Sequence, residues 1–510
     1  MAADSQISTG GREKLRILRV RFGFDSFRPG QEAIVDRLAA GEHVLALMPT
    51  GAGKSLCFQV PALMRGGLAL VVSPLVALMK DQVAGLKLDG IAAETINSSQ
   101  SREENVAIWK RAAAGEVSFL YLSPERLMEP RMTAALAKLP IGLIAVDEAH
   151  CISQWGASFR PEYDALQGLR AAFPGVPIGA FTATADEATR RDIAAKLFGG
   201  RAHMQVSGFD RPNIKLSVAR KANSAQQLLD FVDTHKGESG IVYALSRART
   251  EKLAEELNAG GHRALAYHAG LSPERREETQ NLFMTEPGLV VCATIAFGMG
   301  IDKPDVRFVF HADLPSNLEA YYQEIGRAGR DGEVAEAYMI FGMEDAAKRR
   351  RFIQAEGNDE ARRRSEGIRL AKLVDFAEAK SCRRQMLLSY FGEAAPPCGN
   401  CDICLGEQAE AAPRRAKKDK RAAVMREAVA GGVDEGLLQR LKALRFKLAQ
   451  AKHVPAYVIF HDRVLIEMAR RKPLTAMDLG GISGVGPAKL EQFGAAFLRE
   501  IAARLEQDFA

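Results

Sequence analysis

Thr50-Gly51-Ala52-Gly53-Lys54-Ser55 follows the apolar run Val44 to Met48 and precedes the helix-compatible run Leu56 to Met64. Strand, glycine turn and helix in that order are what a nucleoside triphosphate requires. Backbone N–H groups, a helix N-terminus and the Lys54 ammonium converge on phosphate oxygens, and Ser55 reaches Mg²⁺. Met48 stands where the strict P-loop pattern has glycine. The motif is therefore the shorter Thr-Gly-x-Gly-Lys-Ser form, for which a chance glycine turn is the competing reading. A second group follows at Asp147-Glu148-Ala149-His150, delivered by the apolar run Leu143 to Val146. That run reads as a strand of a parallel sheet, and open α/β sheets bind ligands at the C-terminal ends of their strands. Asp147 is placed to hold Mg²⁺ through water, and Glu148 to orient and deprotonate the water that attacks the γ-phosphate. An Asp-Glu pair is more commonly a solvated turn. The buried strand before it, and a P-loop upstream by the length of about three βα units, favour the site.

Far downstream the chain reads Tyr321-Tyr322-Gln323-Glu324-Ile325-Gly326-Arg327-Ala328-Gly329-Arg330. Arg327 and Arg330 are predicted to share one helical face, from which a guanidinium can stabilise transition-state charge on the γ-phosphate. A solvated arginine face is the ordinary alternative, and the glycine at each three-residue step favours close packing.

With these residues in hand, the chain resembles the RecQ family of superfamily 2 DNA helicases over nearly its whole length. The likeness runs through Phe24, Arg28 and Gln31, the P-loop, Ser73-Pro74-Leu75 to Gln82, and the DEAH tetrad. It continues through Thr182-Ala183-Thr184, Tyr267-His268-Ala269-Gly270, the run Ala293 to Arg307, and Gln323 to Arg330. The resemblance implies an α/β fold of two tandem RecA-like P-loop domains, then a small helical zinc-binding module and a C-terminal helical bundle of the HRDC kind. It implies ATP hydrolysis in the cleft between the two domains and movement 3′ to 5′ along single-stranded DNA. Catalytic roles are implied for Lys54, Asp147, Glu148, His150, Gln323, Arg327 and Arg330. Nucleotide binding is implied for Phe24, Arg28, Gln31, Thr50, Gly51, Gly53, Lys54 and Ser55. The expected domains are 1–208, 209–343, 344–407 for the zinc module, 408–434 as a basic linker, and 435–510.

Directly after DEAH, Cys151 to Tyr163 resembles the family's aromatic-rich loop. Trp155 and Phe159 offer faces on which bases of any identity stack, at about 1–3 kcal/mol each, and Arg160 adds a charge. Composition alone would make an aromatic pair at this spacing core packing; the position beside His150 favours DNA. Most members carry His-Asp where this chain has Ala157-Ser158, so coupling between DNA binding and hydrolysis is expected to be weaker.

Cys382, Cys398, Cys401 and Cys404 are four of seven cysteines. Their spacing gathers four thiolates around one tetrahedral ion, expected to be structural Zn²⁺. It also matches the family's zinc motif. An iron–sulfur cluster is the competing reading, although the Cys-Pro ending of ferredoxin motifs is absent. No signal-like apolar segment opens the chain, so a reducing cytoplasm is expected and disulfides are not. Cys57, Cys151 and Cys292 are expected to pack as small apolar residues. The cations at Lys348 to Arg351, Arg362 to Arg364, Arg383 and Arg384 either offset the charge of the zinc centre or hold DNA phosphates.

RecQ proteins usually follow the zinc site with a winged-helix domain of about a hundred residues, and the interval after Cys404 is too short to fold as one. Gly406 to Arg421 instead reads as a solvated basic linker, open to contact with DNA phosphates. From Leu437 the pattern is helical: Leu441, Leu444 and Leu448, then Val464 to Ala469, then Ala488 to Leu505. Gly484-Val485-Gly486 is either a phosphate-binding turn or a plain tight turn. A chain of 510 residues holds three to four such units, and its net charge of +6 mildly favours a polyanionic partner. Expected partners are single-stranded and partly duplex DNA, with a single-strand DNA-binding protein possible; expected cofactors are ATP, Mg²⁺ and Zn²⁺. The protein is expected to be a monomer in a bacterial cytoplasm, associated with the nucleoid, working in DNA repair and recombination. Competing readings are a single-strand translocase that separates strands poorly, an ATP-gated DNA-binding scaffold without turnover, and an enzyme acting on RNA.

Overall fold

The computed structural model describes all residues except 1–8, 50, 75, 154–159, 299–300, 302, 356–359, 408–432, 453, 455 and 509–510. The expectations for Thr50, Trp155, Ala157, Ser158, Phe159 and the basic linker therefore lie outside the described residues. The chain divides into two compact units, one of residues 1–183, 188–207 and 432–510, the other of residues 184–187 and 208–431.

The first unit is built on a seven-stranded sheet of β1 (Val44–Leu47), β2 (Leu68–Val72), β3 (Ala93–Ile96), β4 (Phe119–Leu122), β5 (Ile141–Val146), β6 (Ile178–Thr182) and β7 (His203–Val206), in the order β3-β4-β2-β5-β6-β1-β7. Every pairing is parallel. The inner strands are short continuous apolar runs, as a sheet covered by helices on both faces demands, and β1, β2, β4 and β6 are buried along their whole length. At the edge, β7 alternates between half-buried and exposed residues.

The second unit repeats the plan with β8 (Ile214–Arg220), β9 (Ser239–Tyr243), β10 (Ala264–Tyr267), β11 (Val290–Ala293), β12 (Val306–His311) and β13 (Ala335–Phe341), all parallel, in the order β10-β11-β9-β12-β13-β8. The helices Met343–Ala355, Glu360–Ala377 and Arg383–Tyr390 follow. The cysteine-rich turn then pairs with the free edge of β8 through a parallel bridge of Leu216 to Cys401, so the zinc module is continuous with this sheet.

The C-terminal bundle consists of Glu435–Lys452, Asp462–Arg471 and Pro487–Asp508 with two short helices between. Leu441, Leu465, Met468, Phe497 and Ile501 are fully buried in its core. The bundle belongs to the first unit. Leu88 packs into its core, Lys489 pairs with the Asp89 carboxylate at 3.1 Å, and the Gly484 N–H donates to the Gly23 carbonyl at 2.6 Å. The Gly484-Val485-Gly486 segment is thus a tight turn laid against backbone, which resolves the two sequence readings in favour of packing. No helix among the described residues is long and apolar enough to cross a membrane.

Candidate nucleotide site and zinc centre

Because β6 lies between β1 and β5, three segments leave the same edge of the sheet side by side: the P-loop from β1, Thr182 from β6 and the Asp147-Glu148 pair from β5. Gly51 and Gly53 adopt φ of 81° and 78°, where a side chain would be strained, and a Cβ on Gly53 would come within 2.5 Å of Gln31 Nε2. The helix Leu56–Arg65 starts directly after Ser55 and directs its N-terminus at the loop. Arg28 donates to the Gly51 carbonyl at 2.6 Å, and Gln31 to the carbonyls of Ala52 and Gly53 at 2.9 and 3.1 Å. Two residues expected to read the base thus also brace the loop that takes the phosphates. Phe24 is partly buried and packs against the core of the first sheet.

Asp147 is buried, and its carboxyl is pushed up to about 6, first by burial and then by the charge of Glu148, against the opposing pull of Lys54. A carboxylate in such a position is suited to a cation that restores the lost solvation. Glu148 has φ 48° and ψ 44°, a left-handed conformation that, among the described non-glycine residues, only Lys472 shares. His150 places Nδ1 2.8 Å from Thr182 Oγ1 and 3.3 Å from the Glu148 carboxylate. Burial lowers the His150 pKa, which favours the neutral ring, so its approach to Glu148 is not an ion pair and its hydrogen bond is the one to Thr182. The Thr-Ala-Thr segment, a weak signal in sequence, therefore contributes Thr182 directly to the DEAH group.

In the second unit, Gln323 donates to Thr184 Oγ1 at 2.7 Å. One sequence expectation is corrected here: Arg327 and Arg330 do not share a helical face. The helix Leu318–Ile325 ends at Gly326, and both arginines lie in the turns beyond it. Gly329 at φ +57° reverses the chain, and Arg211 binds the carbonyls of Gly326, Ala328 and Gly329 that the ended helix would have used. The close packing inferred from the glycines is present: a Cβ on Gly329 would meet Asn213 Nδ2 at 2.4 Å. Arg327 is buried, with its guanidinium on the Gly298 carbonyl.

The sulfur atoms of Cys382, Cys398, Cys401 and Cys404 all lie within 4.8 Å of one another. The N–H of Cys398 donates to Cys382 Sγ and that of Asn400 to Cys398 Sγ, each at 3.3 Å, the contacts that favour thiolates over thiols. Four converging sulfurs with N–H donors fit a tetrahedral Zn²⁺. For Arg383 and Arg384 the structure decides between the two sequence readings, against contact with DNA. Both are buried, Arg383 on Asp402 at 2.6 Å and Arg384 on Asp210 and the carbonyls of Arg211 and Ile214. They tie the zinc module to the root of β8 and are not available to DNA phosphates. Cys57, Cys151 and Cys292 are buried, as small apolar residues would be.

Four family models match the chain in order: DEAD/DEAH box helicase at residues 28–193, Helicase conserved C-terminal domain at 221–332, RecQ zinc-binding at 343–405 and HRDC domain at 434–501. The chain is 38% identical to the ATP-dependent DNA helicase RecQ of Pasteurella multocida, over 96% of this chain and 93% of that one. It is 32% identical to the ATP-dependent DNA helicase RecQ of Bacillus subtilis, over 94% and 97%. The Mycobacterium smegmatis helicase Lhr, bound to ssDNA and AMP-PNP, superposes with a TM-score of 0.51 at 20% identity, over 72% of this chain and 54% of that chain, a likeness of fold. Two tandem parallel RecA-like domains with a P-loop site define an ATP-hydrolysing helicase. With the zinc-binding module and the HRDC region added, the chain belongs to the RecQ family of ATP-dependent DNA helicases. The Pasteurella alignment spans 590 positions against a chain of 510, so the relative carries residues that this chain lacks.

Proposed function

We propose that the protein moves 3′ to 5′ on single-stranded DNA and uses ATP hydrolysis to unwind duplexes in DNA repair and recombination. The observation that carries this reading is the convergence of the P-loop, Thr182 and Asp147-Glu148 at one sheet edge in a chain of the RecQ family. Lys54 and the P-loop backbone hold the phosphates. Ser55 and Asp147 hold Mg²⁺, whose charge offsets the phosphates and relieves the cost of the buried Asp147. Glu148 takes the proton of the attacking water, and His150 stands beside it, bound to Thr182. Arg327, Arg330 and Gln323 stabilise the charge that develops on the γ-phosphate, while Phe24, Arg28 and Gln31 hold the adenine. Trp155, Phe159 and Arg160 take the DNA strand. The domain limits given by the sequence, 1–208, 209–343, 344–407, 408–434 and 435–510, belong to this proposal, as do a monomeric state, a nucleoid location and a single-strand DNA-binding protein as partner.

Polarity is tested with duplexes carrying either a 3′ or a 5′ single-stranded tail. The reading predicts that ATP-dependent strand separation requires the 3′ tail; separation from the 5′ tail alone would refute it.

A second reading has one specific observation behind it. The zinc-binding match ends at residue 405 and the HRDC match starts at 434, an interval too short for a winged helix. A motor without that grip on duplex DNA is a translocase that separates strands weakly, and strong DNA-stimulated ATPase with little unwinding would select it.

A further inference from the structure

The left-handed backbone of Glu148 needs a cause, because for a residue with a side chain that conformation costs about 1 kcal/mol or more. The peptide group between Asp147 and Glu148 is the one whose orientation sets the φ of Glu148, and hence the direction of its carboxylate. On its N-terminal side the Asp147 N–H continues the sheet, donating to the Val72 carbonyl at 2.9 Å. Beyond Glu148, the Cys151 N–H donates to the Glu148 carbonyl at 2.9 Å. The oxygen of the intervening peptide, Asp147 O, accepts from the phenol of Tyr163 at 3.0 Å. Tyr163 is fully buried, and burial raises its pKa well above the ordinary range, so it remains a hydrogen-bond donor at any working pH.

Tyr163 also follows closely on Arg160, which the reading above assigns to DNA. It stands in the first turn after Arg160, and its N–H donates to the Arg160 carbonyl at 3.0 Å. The Arg160 N–H is tied to the Cys151 carbonyl at 2.9 Å, and its guanidinium reaches the Pro74 carbonyl at 3.3 Å. A short chain of contacts thus joins Pro74, Arg160, Tyr163, the Asp147 carbonyl and Glu148.

We propose that Tyr163 is a positioning residue: its phenol fixes the Asp147–Glu148 peptide, and movement of Arg160 when a DNA strand binds reaches the Glu148 carboxylate through it. The inference rests on the reading above, in which Glu148 activates water and the segment ending at Arg160 meets DNA. It goes further in giving a route by which the strand controls hydrolysis, carried by a residue that touches neither ATP nor DNA.

The test is Tyr163→Phe in the full chain. ATPase is measured with and without a saturating thymidine oligonucleotide, beside oligonucleotide affinity, Tm and a Glu148→Gln control. Removing only the hydroxyl is expected to lower the DNA-stimulated kcat about tenfold, to lower the unstimulated rate far less, and to leave KM for ATP and oligonucleotide affinity within about twofold. A stimulated kcat equal to wild type, with Glu148→Gln inactive, would overturn the inference and leave the role of Glu148 standing. Equal loss of both rates would also overturn it, because Tyr163 would then act on Glu148 independently of the strand. Full activity of Glu148→Gln would instead remove the reading beneath.

Discussion

At the scale of single residues, the nucleotide site holds a carboxylate that the empty protein does not favour. Asp147 is buried beside Glu148, and its raised pKa means that the ionised form destabilises the nucleotide-free state. Asp147→Asn removes that charge while keeping the shape. It should abolish ATPase activity and raise the Tm of the nucleotide-free, Mg²⁺-free protein by roughly 2–4 °C, as scanning calorimetry would record; an unchanged or lower Tm would count against the argument. Lys54, Asp147 and Glu148 were legible in the sequence because each sits in a local pattern, a glycine turn or the end of an apolar run. The roles of Thr182 and Tyr163 were not, because each depends on a hydrogen bond to a distant segment that no local spacing encodes.

At the scale of elements, the strands and helices that the sequence singled out followed from apolar runs and helical spacing, and the main misreading came at a helix end. The spacing of Arg327 and Arg330 suits a helix, yet Gly326 and Gly329 end it, and Arg211 satisfies the freed carbonyls from elsewhere in the chain. The terminal bundle has an ionic anchor of its own. Asp462 is buried, with Arg445 at 2.6 Å and Lys442 at 3.1 Å. Burial alone would raise its pKa, but the two cations override it and hold the carboxyl well below its ordinary value. For a depressed carboxylate, the stabilisation is present in full above the unfolded-state pKa near 4 and is lost as pH falls from there toward the folded value. Asp462→Asn should therefore cost about 2–4 kcal/mol at neutral pH, by leaving the half-buried Arg445 without its counter-charge, and the variant should lose less stability than wild type between pH 5 and 2. Parallel acid titrations of the two proteins would show a gap that narrows with falling pH; a gap that widens would contradict the assignment.

At the scale of the whole molecule, the sequence foresaw two parallel α/β domains, a zinc module and a helical bundle, but not the docking of that bundle. Its turn at Gly484 to Gly486 rests on Gly23, next to Phe24, and a Cβ on Gly23 would lie 2.6 Å from the Gly486 nitrogen at a φ of +72°. Such a contact is between backbones and leaves no sequence signature beyond glycine. Gly23→Ala should destabilise the first unit by about 1–3 kcal/mol and increase protease cleavage between the bundle and the sheet, whereas an unchanged cleavage pattern would show that the contact contributes little. The central claim is that hydrolysis at the P-loop site drives strand separation even though the interval between the zinc module and the bundle has no room for a winged helix. Its most direct test is the unwinding of a 3′-tailed duplex by wild type and by Lys54→Ala, with ATPase recorded on the same preparations. The account predicts that wild type unwinds and hydrolyses ATP and that Lys54→Ala does neither; strand separation by Lys54→Ala at the wild-type rate would contradict it.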